Sequence, residues 1–126
     1  MTKDQLLIYL AQMVVLGSHL NNTVGIIMPT FEDVKRIRKE FGMLVDTIPD
    51  FLMPEVRYST IRDFEFGDNR YCWMHGRNAG KGRTFSQLYL SSRLTEEDLK
   101  DHLFSIIPAM SLTAGGGNNI HTFDDV

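Results

Sequence analysis

One stretch of the sequence, His75 to Thr84, has residues that could bind an anion, and it reads HGRNAGKGRT. A phosphate-binding loop follows the pattern G-x-x-x-x-G-K-[ST], in which backbone amides surround the phosphates, the lysine reaches the terminal phosphates and the hydroxyl binds magnesium. Here the interval from Gly76 to Gly80 is one residue short, and Gly82 stands where the hydroxyl is required. We therefore predict that this stretch is not a nucleotide-binding loop.

The same region is nevertheless rich in positive charge. Between Gly67 and Phe85 the only acidic residue is Asp68, whereas four residues are basic: Arg70, Arg77, Lys81 and Arg83. A cationic loop that contains glycine is suited to bind a phosphate group or the carboxylates of a partner. These four residues are the candidate anion- or partner-binding residues, and the alternative is a solvated surface loop.

Composition limits the kind of protein this is. With 126 residues and 43% hydrophobic content, the chain is expected to form one domain, and its net charge of −3 argues against a nucleic-acid-binding domain. The single cysteine, Cys72, excludes an internal disulfide, and the four histidines are too far apart to predict a metal site. The apolar run LLIYLAQMVVLG is too short to span a membrane, so we expect a cytoplasmic protein.

Three capping boxes predict three helices. Thr2 with Gln5, Thr30 with Asp33 and Thr95 with Asp98 each have the required spacing. The first helix is apolar on nearly every face from Leu6 to Leu16, which predicts a buried helix. The second runs from Phe31 to about Val45 with a basic outer face, interpreted as solvated, and the third is closed by Pro108.

Strand-like segments lie between these helices. VGIIMP and FSQLYL are typical of buried strands, and VRYST, IRDFEF and RYCWMHG are three further β-like pieces, the last two joined by a turn at GDN. The loop TIPDFLMPE is expected to be anchored by Ile48, Phe51 and Leu52. The order indicates a three-layer α/β domain with a partly parallel sheet over residues 1–114. A flexible Gly-rich tail, 115–126, would contribute at most a short strand at IHTF.

From Leu6 to about Gly116 the chain resembles the ATPase core of the large terminase subunits of contractile-tailed phages, which pump DNA into a capsid. The segments that carry the resemblance are LLIYLAQM, TVGIIMPT, IPDFLMPEV, FEFGDNR, GKGRTFSQLYLSS and HLFSIIPAMS, in matching order and approximate spacing. The resemblance implies an incomplete P-loop ATPase-like fold. It also places the Lys81-Gly82 pair near the family's nucleotide site and subunit boundaries.

Two departures from the family pattern bear on activity. The family's phosphate loop directly precedes its first helix, and its Lys and Thr would fall near Thr2 and Lys3, so that loop is expected to be absent. The family's next essential strand ends in an acidic pair, one acid for magnesium and one to activate water, whereas Ser91 and Ser92 hold those positions here. Neither serine carries a charge at neutral pH, so we expect no catalytic residues, no cofactor and no metal site.

The resemblance and its departures predict an inactive terminase-like domain, in the cytoplasm of an infected bacterium, that acts by binding the packaging motor, the portal protein or copies of itself. FSQLYL is expected to be an uncovered sheet edge that pairs with another chain. Two alternatives remain open at this point. One is a packaging ATPase completed by a second chain, and the other is a nucleic-acid or nucleotide binder that uses the four basic residues.

Overall fold

The computed structural model describes residues 1–17, 20–76, 84–100 and 119–125. They form an α/β domain that contains two long helices, one short 3-10 helix and six strands. The helices are α1 (Lys3–Leu16) and α2 (Phe31–Val45), and the 3-10 turn is Asp50–Leu52. The strands are β1 (Thr23–Met28), β2 (Val56–Ser59), β3 (Asp63–Phe66), β4 (Asn69–His75), β5 (Gln87–Ser91) and β6 (Ile120–Phe123).

All six strands belong to one mixed sheet with the order β2-β3-β4-β1-β5-β6. The strands β4, β1, β5 and β6 run parallel to one another, and β2 and β3 extend the sheet as an antiparallel meander. The turn between β3 and β4 includes Gly67 at a positive φ of 53°, which glycine adopts without steric cost. The predicted α/β class with a partly parallel sheet is therefore confirmed.

The helix starts follow the local sequence signals. Thr2 caps α1 through a complete capping box with Gln5, and the Thr30 hydroxyl accepts a hydrogen bond from the backbone N–H of Asp33 at the start of α2. Thr95 and Asp98 exchange the same pair of hydrogen bonds, each 3.1 Å long, so the predicted start of the third helix is also confirmed. The expected remainder of that helix, through Pro108, lies outside the described residues.

Two apolar clusters occupy the two faces of the sheet. Strand β1 shows the division, because Ile26 and Met28 pack with α1 and α2, whereas Ile27 packs on the opposite face with Phe85 and Leu94. This alternation follows from the two-residue period of a strand. A sheet covered on both faces explains why β1, β4 and β5 are buried along most of their length.

Two burial predictions are wrong. The first helix is not buried all round, because Ile8 is 48% exposed and Leu16 is 70% exposed on its outer face. In the loop after α2, Phe51 is 85% exposed and Leu52 is 45% exposed, so of the three expected anchors only Ile48 packs against the core. Apolar composition alone did not show which side of these segments the sheet covers.

The expectations for the sheet edge and the tail also need correction. Strand β5 is not an edge, since β1 pairs with it on one side and β6 on the other. Strand β6 confirms the short strand expected at IHTF, and Asp125 beyond it is only 2% exposed. Residues 119–125 therefore belong to the domain rather than to a flexible tail, and among the described strands β2 and β6 form the two edges.

Candidate functional site at the carboxyl edge of the sheet

The carboxyl ends of the parallel strands lie along one edge of the sheet, at His75, Met28, Ser91 and Phe123. After β1 the chain runs through α2, β2 and β3 to β4, which lies next to β1 on one side. After β5 the chain reaches β6, which lies on the opposite side of the sheet. The loops after β1 and β5 therefore diverge, and in open α/β sheets such a switch point is the usual position of a ligand site. We take this edge as the candidate functional site.

Four charged side chains meet at this edge and form the network that we call the edge network: Asp33, Arg36, Arg93 and Asp125. Arg93 Nη1 lies 2.8 Å from Asp33 Oδ1 and 3.3 Å from Asp125 Oδ2. Arg36 Nη2 lies 3.0 and 3.1 Å from the two Asp125 oxygens and 3.3 Å from Asp33 Oδ1. Each aspartate thus accepts hydrogen bonds from both arginines, and the two positive charges balance the two negative charges.

Local structure fixes each member of the edge network. Asp33 lies in the first turn of α2, where the Thr30 hydroxyl donates to its Oδ2 at 2.7 Å. Arg36 follows one turn later on the same helix. Arg93 follows β5, and its backbone N–H donates to Ser91 Oγ at 3.1 Å. Asp125 follows β6, and its backbone N–H donates to Ser92 Oγ at 3.3 Å.

The electrostatics favour the charged forms of Asp33, Arg36 and Arg93 in the edge network. Burial would raise the pKa of Asp33, but hydrogen bonds from Arg93, Thr30 and Arg36 outweigh it and hold this pKa below its ordinary value of 3.8. Burial would likewise lower the pKa of Arg36, yet its hydrogen bonds to Asp125 and Asp33 raise it. The hydrogen bond to Asp33 and its negative charge raise the pKa of Arg93. All three groups are therefore ionised at neutral pH.

Ser91 and Ser92, which the sequence resemblance aligns with an acidic pair, lie at this edge at the end of β5. The Ser91 side chain is buried, and its hydroxyl accepts from the backbone of Arg93, while the Ser92 hydroxyl accepts from the backbone of Asp125. The two hydroxyls thus position the residues that carry the charges. No group of three or more His, Cys, Asp or Glu side chains that could hold a metal ion occurs among the described residues.

The structure describes one of the four basic candidates from the sequence, Arg70, and it lies away from this edge. Arg70 lies near the amino end of β4, opposite Thr23 at the start of β1, and it is paired with Asp63 and Glu65 at 3.3 and 3.2 Å. The other three, Arg77, Lys81 and Arg83, lie outside the described residues. The loop that contains them follows His75, the last residue of β4. Arg70 lies five strand residues before His75, so at about 3.3 Å per residue it is about 17 Å from the start of that loop. The anion-binding role of these four residues stays a prediction.

Sequence reasoning missed the members of the edge network. Asp33 was recognised only as a helix cap, Arg36 only as part of a solvated face, and Arg93 and Asp125 were not singled out as site residues. A usable signal was present, because Arg93 and Asp125 each come two residues after the end of a strand, β5 and β6 respectively. The carboxyl ends of parallel strands meet at one edge, so charged residues at these places were candidates for one site.

Comparison with known proteins adds no identification. Neither a scan against models of protein families nor a search of curated proteins finds a match for this chain. Among the described residues, no helix has both the length and the apolar character needed to cross a bilayer.

Proposed function

We propose that this chain is a catalytically inactive, terminase-ATPase-like domain of a tailed phage that acts by binding a protein partner or copies of itself. The observation that supports the proposal is the chemistry at the end of β5. Ser91 and Ser92 hold the positions of the acidic pair, and both hydroxyls are used in hydrogen bonds to the backbone. In the family, that pair supplies the magnesium ligand and the base, and serine supplies neither charge.

The two aspartates that do reach this edge are poorly suited to replace the missing acids. Asp33 and Asp125 are both buried, and each accepts hydrogen bonds from Arg36 and Arg93 at 2.8 to 3.3 Å. Magnesium binding to either carboxylate would have to displace a guanidinium group, and the arginine left behind would lose its compensating charge. The edge network is therefore better suited to holding α2, β5 and β6 together than to catalysis.

The binding role would be performed in the cytoplasm of the infected host, with the packaging motor, the portal protein or a second copy as partner. Self-association by strand pairing would use β2 or β6, since these are the described edges of the sheet. All four residues of β2 are exposed, whereas the end of β6 is partly covered, because Asp124 pairs with the first residues of the chain. Strand pairing at β2 is therefore the better fit.

The proposal is tested by measuring ATP hydrolysis and ATP binding with magnesium, for the purified chain alone and for the chain mixed with a phage large terminase and portal protein. We expect no hydrolysis above the rate of the added motor and a stable complex in co-sedimentation, or species heavier than the 14.4 kDa monomer. Magnesium-dependent hydrolysis by this chain that is lost in Asp33→Asn would contradict the proposal and support the alternative of an ATPase completed by a second chain. A strictly monomeric chain that binds neither partner would also contradict it.

A further inference from the structure

A second charged surface lies on the outer side of α2, away from the edge network. It is an open groove between α2 and the segment that follows β2, and we call it the cationic groove. Three cations line it, and no carboxylate is present among the described residues of its lining, which are Lys35, Arg38, Lys39, Gly42, Ser59, Thr60 and Ile61. Its formal charge is therefore +3 in a chain whose net charge is −3.

Arg38 is held rigidly at the centre of the cationic groove. Its Nε donates to the Thr60 carbonyl at 3.0 Å, and its Nη2 donates to Ser59 Oγ at 2.9 Å. Its guanidinium carbon lies 5.1 to 5.5 Å from the ring centres of Phe41, Phe64 and Trp73. Stacking and hydrogen bonding together fix the plane of the guanidinium group, so a ligand would not have to order this side chain.

The hydrogen-bond and ring partners of Arg38 are all neutral, unlike those of four other arginines of the domain. Arg36, Arg57, Arg70 and Arg93 each have a carboxylate within ion-pair distance. Arg38 has no such carboxylate among the described residues. Burial lowers the pKa of Arg38, and the negative charge of Asp46 offsets this only in part. A partly buried cation with no carboxylate within ion-pair distance interacts strongly with an incoming oxyanion, because less water screens the attraction.

The room for that oxyanion comes from Gly42, one turn after Arg38. A β-carbon at position 42 would lie 3.4 Å from Arg38 Nη1, so the glycine leaves this nitrogen accessible from the groove. Neither Nη1 nor the ammonium group of Lys39 has a carboxylate partner within the described part of the chain, whereas Lys35 pairs with Glu32 at 2.8 Å. Lys35 and Lys39 also stand one turn apart on α2, which is an unfavourable spacing for like charges unless an anion lies between them.

The surroundings of the cationic groove indicate the class of anion. The three rings beneath Arg38 are buried, so they offer no face on which a nucleic-acid base could stack. The negative net charge also disfavours a polyphosphate backbone, which extends far beyond three cations. Ile61 is 46% exposed on the rim and could contact an apolar side chain next to a carboxylate. A protein segment that combines acidic and apolar residues meets all of these conditions.

We propose that the cationic groove binds an acidic peptide segment of a partner protein, with one carboxylate held by Arg38 between Lys35 and Lys39. This assignment rests on the proposed binding function and names the chemistry of its partner. The groove is separate from the edge network, so binding here leaves the ion pairs of Asp33 and Asp125 intact.

The proposal is tested with fluorescein-labelled hexaglutamate as the probe, by fluorescence anisotropy at low ionic strength and again at physiological salt. We expect saturable binding to the full chain that weakens as salt is added. Lys39→Glu should weaken binding by about fivefold to tenfold, because it replaces an attractive exposed charge with a repulsive one. Lys100→Glu is the matched control, since Lys100 is exposed, lies on another helix and gives the same change in net charge, and it should change the affinity by less than about twofold.

A second variant, Arg38→Lys, keeps the charge but removes the planar fork, so it should also weaken binding of the probe. Circular dichroism and a thermal melt of each variant show whether it is folded, and because the Lys39 side chain is exposed, Lys39→Glu gives a test in folded protein. Lys81→Gln tests the basic loop: loss of binding in Lys81→Gln but not in Lys39→Glu would overturn the assignment.

Three other results would also overturn it: no binding of hexaglutamate at low ionic strength, binding of inorganic phosphate as tight as that of the peptide, or tighter binding of oligothymidylate that depends on the same residues. The last result would make the groove a nucleic-acid site. Magnesium-dependent ATP hydrolysis together with hexaglutamate binding would leave this assignment standing and remove only the proposed inactivity.

Discussion

Replacement of Asp125 by asparagine measures how much the edge network contributes to folding. The Asp125 side chain is fully buried, whereas Arg36 and Arg93 are 40% and 47% exposed. Asparagine keeps the shape of the side chain but removes its charge, so the two guanidinium groups would keep only Asp33 and, for Arg36, the more distant Glu40 at 3.7 Å. Breaking a buried pair costs about 3–5 kcal/mol, and an exposed pair contributes only about 0.2–1 kcal/mol. Since the Asp125 side chain is buried and the two arginines are about half exposed, we expect the free energy of unfolding to fall by about 2 kcal/mol.

The assay is thermal and urea denaturation, followed by circular dichroism. For a domain of this size a loss of about 2 kcal/mol lowers the Tm by about 6–10 °C. Asp124→Asn is the matched control, because Asp124 is the exposed neighbour and loses the same charge, so its effect should stay within about 0.5 kcal/mol. Equal Tm values for the two variants would contradict this expectation, since they would mean that water stabilises the guanidinium groups of Arg36 and Arg93 as well as Asp125 does.

Three further predictions concern the pH dependence of Asp33 and the replacement of two glycines. Hydrogen bonds hold the pKa of Asp33 below 3.8, so its contribution to stability is complete well above that value and is lost as the pH falls through the lower pKa of the folded state. In urea melts between about pH 6 and pH 3, the difference in free energy of unfolding between wild type and Asp33→Asn should therefore shrink as the pH falls. Gly25→Ala should cost about 1–3 kcal/mol, because its β-carbon would lie 2.8 to 3.1 Å from Leu88, Met74 and Phe85. Gly42→Ala in α2, whose nearest contact is 3.4 Å, should instead stabilise by about 0.5–1 kcal/mol in the same denaturation assay, and the reverse order would contradict both arguments.

Features that depend on neighbouring residues could be predicted from the sequence. The three helix starts at Thr2, Thr30 and Thr95 were found because a capping box joins residues only three apart. The strands β1 and β5 were found because continuous apolar runs bounded by turn residues are typical of strands covered on both faces. The turn at Gly67 was found from its residue types alone.

Features that depend on distant residues could not be predicted in the same way. Arg93 and Asp33 are 60 positions apart, and Arg36 and Asp125 are 89 apart, so no local pattern joins them. The parallel pairing of β6 with β5 brings Asp125 to the edge, and the expectation that β5 was an uncovered edge concealed it. The burial of both faces of β4 likewise depends on distant residues, because Tyr71 and Trp73 pack in one apolar cluster and Cys72 and Met74 in the other.

The distribution of counter-charges separates a structural role from a binding role. At the carboxyl edge, where an ATPase of the resembled family would act, both arginines are neutralised by the two aspartates within the domain. On the outer face of α2 the opposite holds, because Arg38 is fixed by neutral groups and Lys39 has no carboxylate partner in the described part of the chain. A charge that the domain neutralises itself contributes to its own folding, whereas a fixed charge that it leaves uncompensated gains most from an external anion. The surface of this domain best suited to a partner is therefore the cationic groove rather than the edge that the resemblance to an ATPase would indicate.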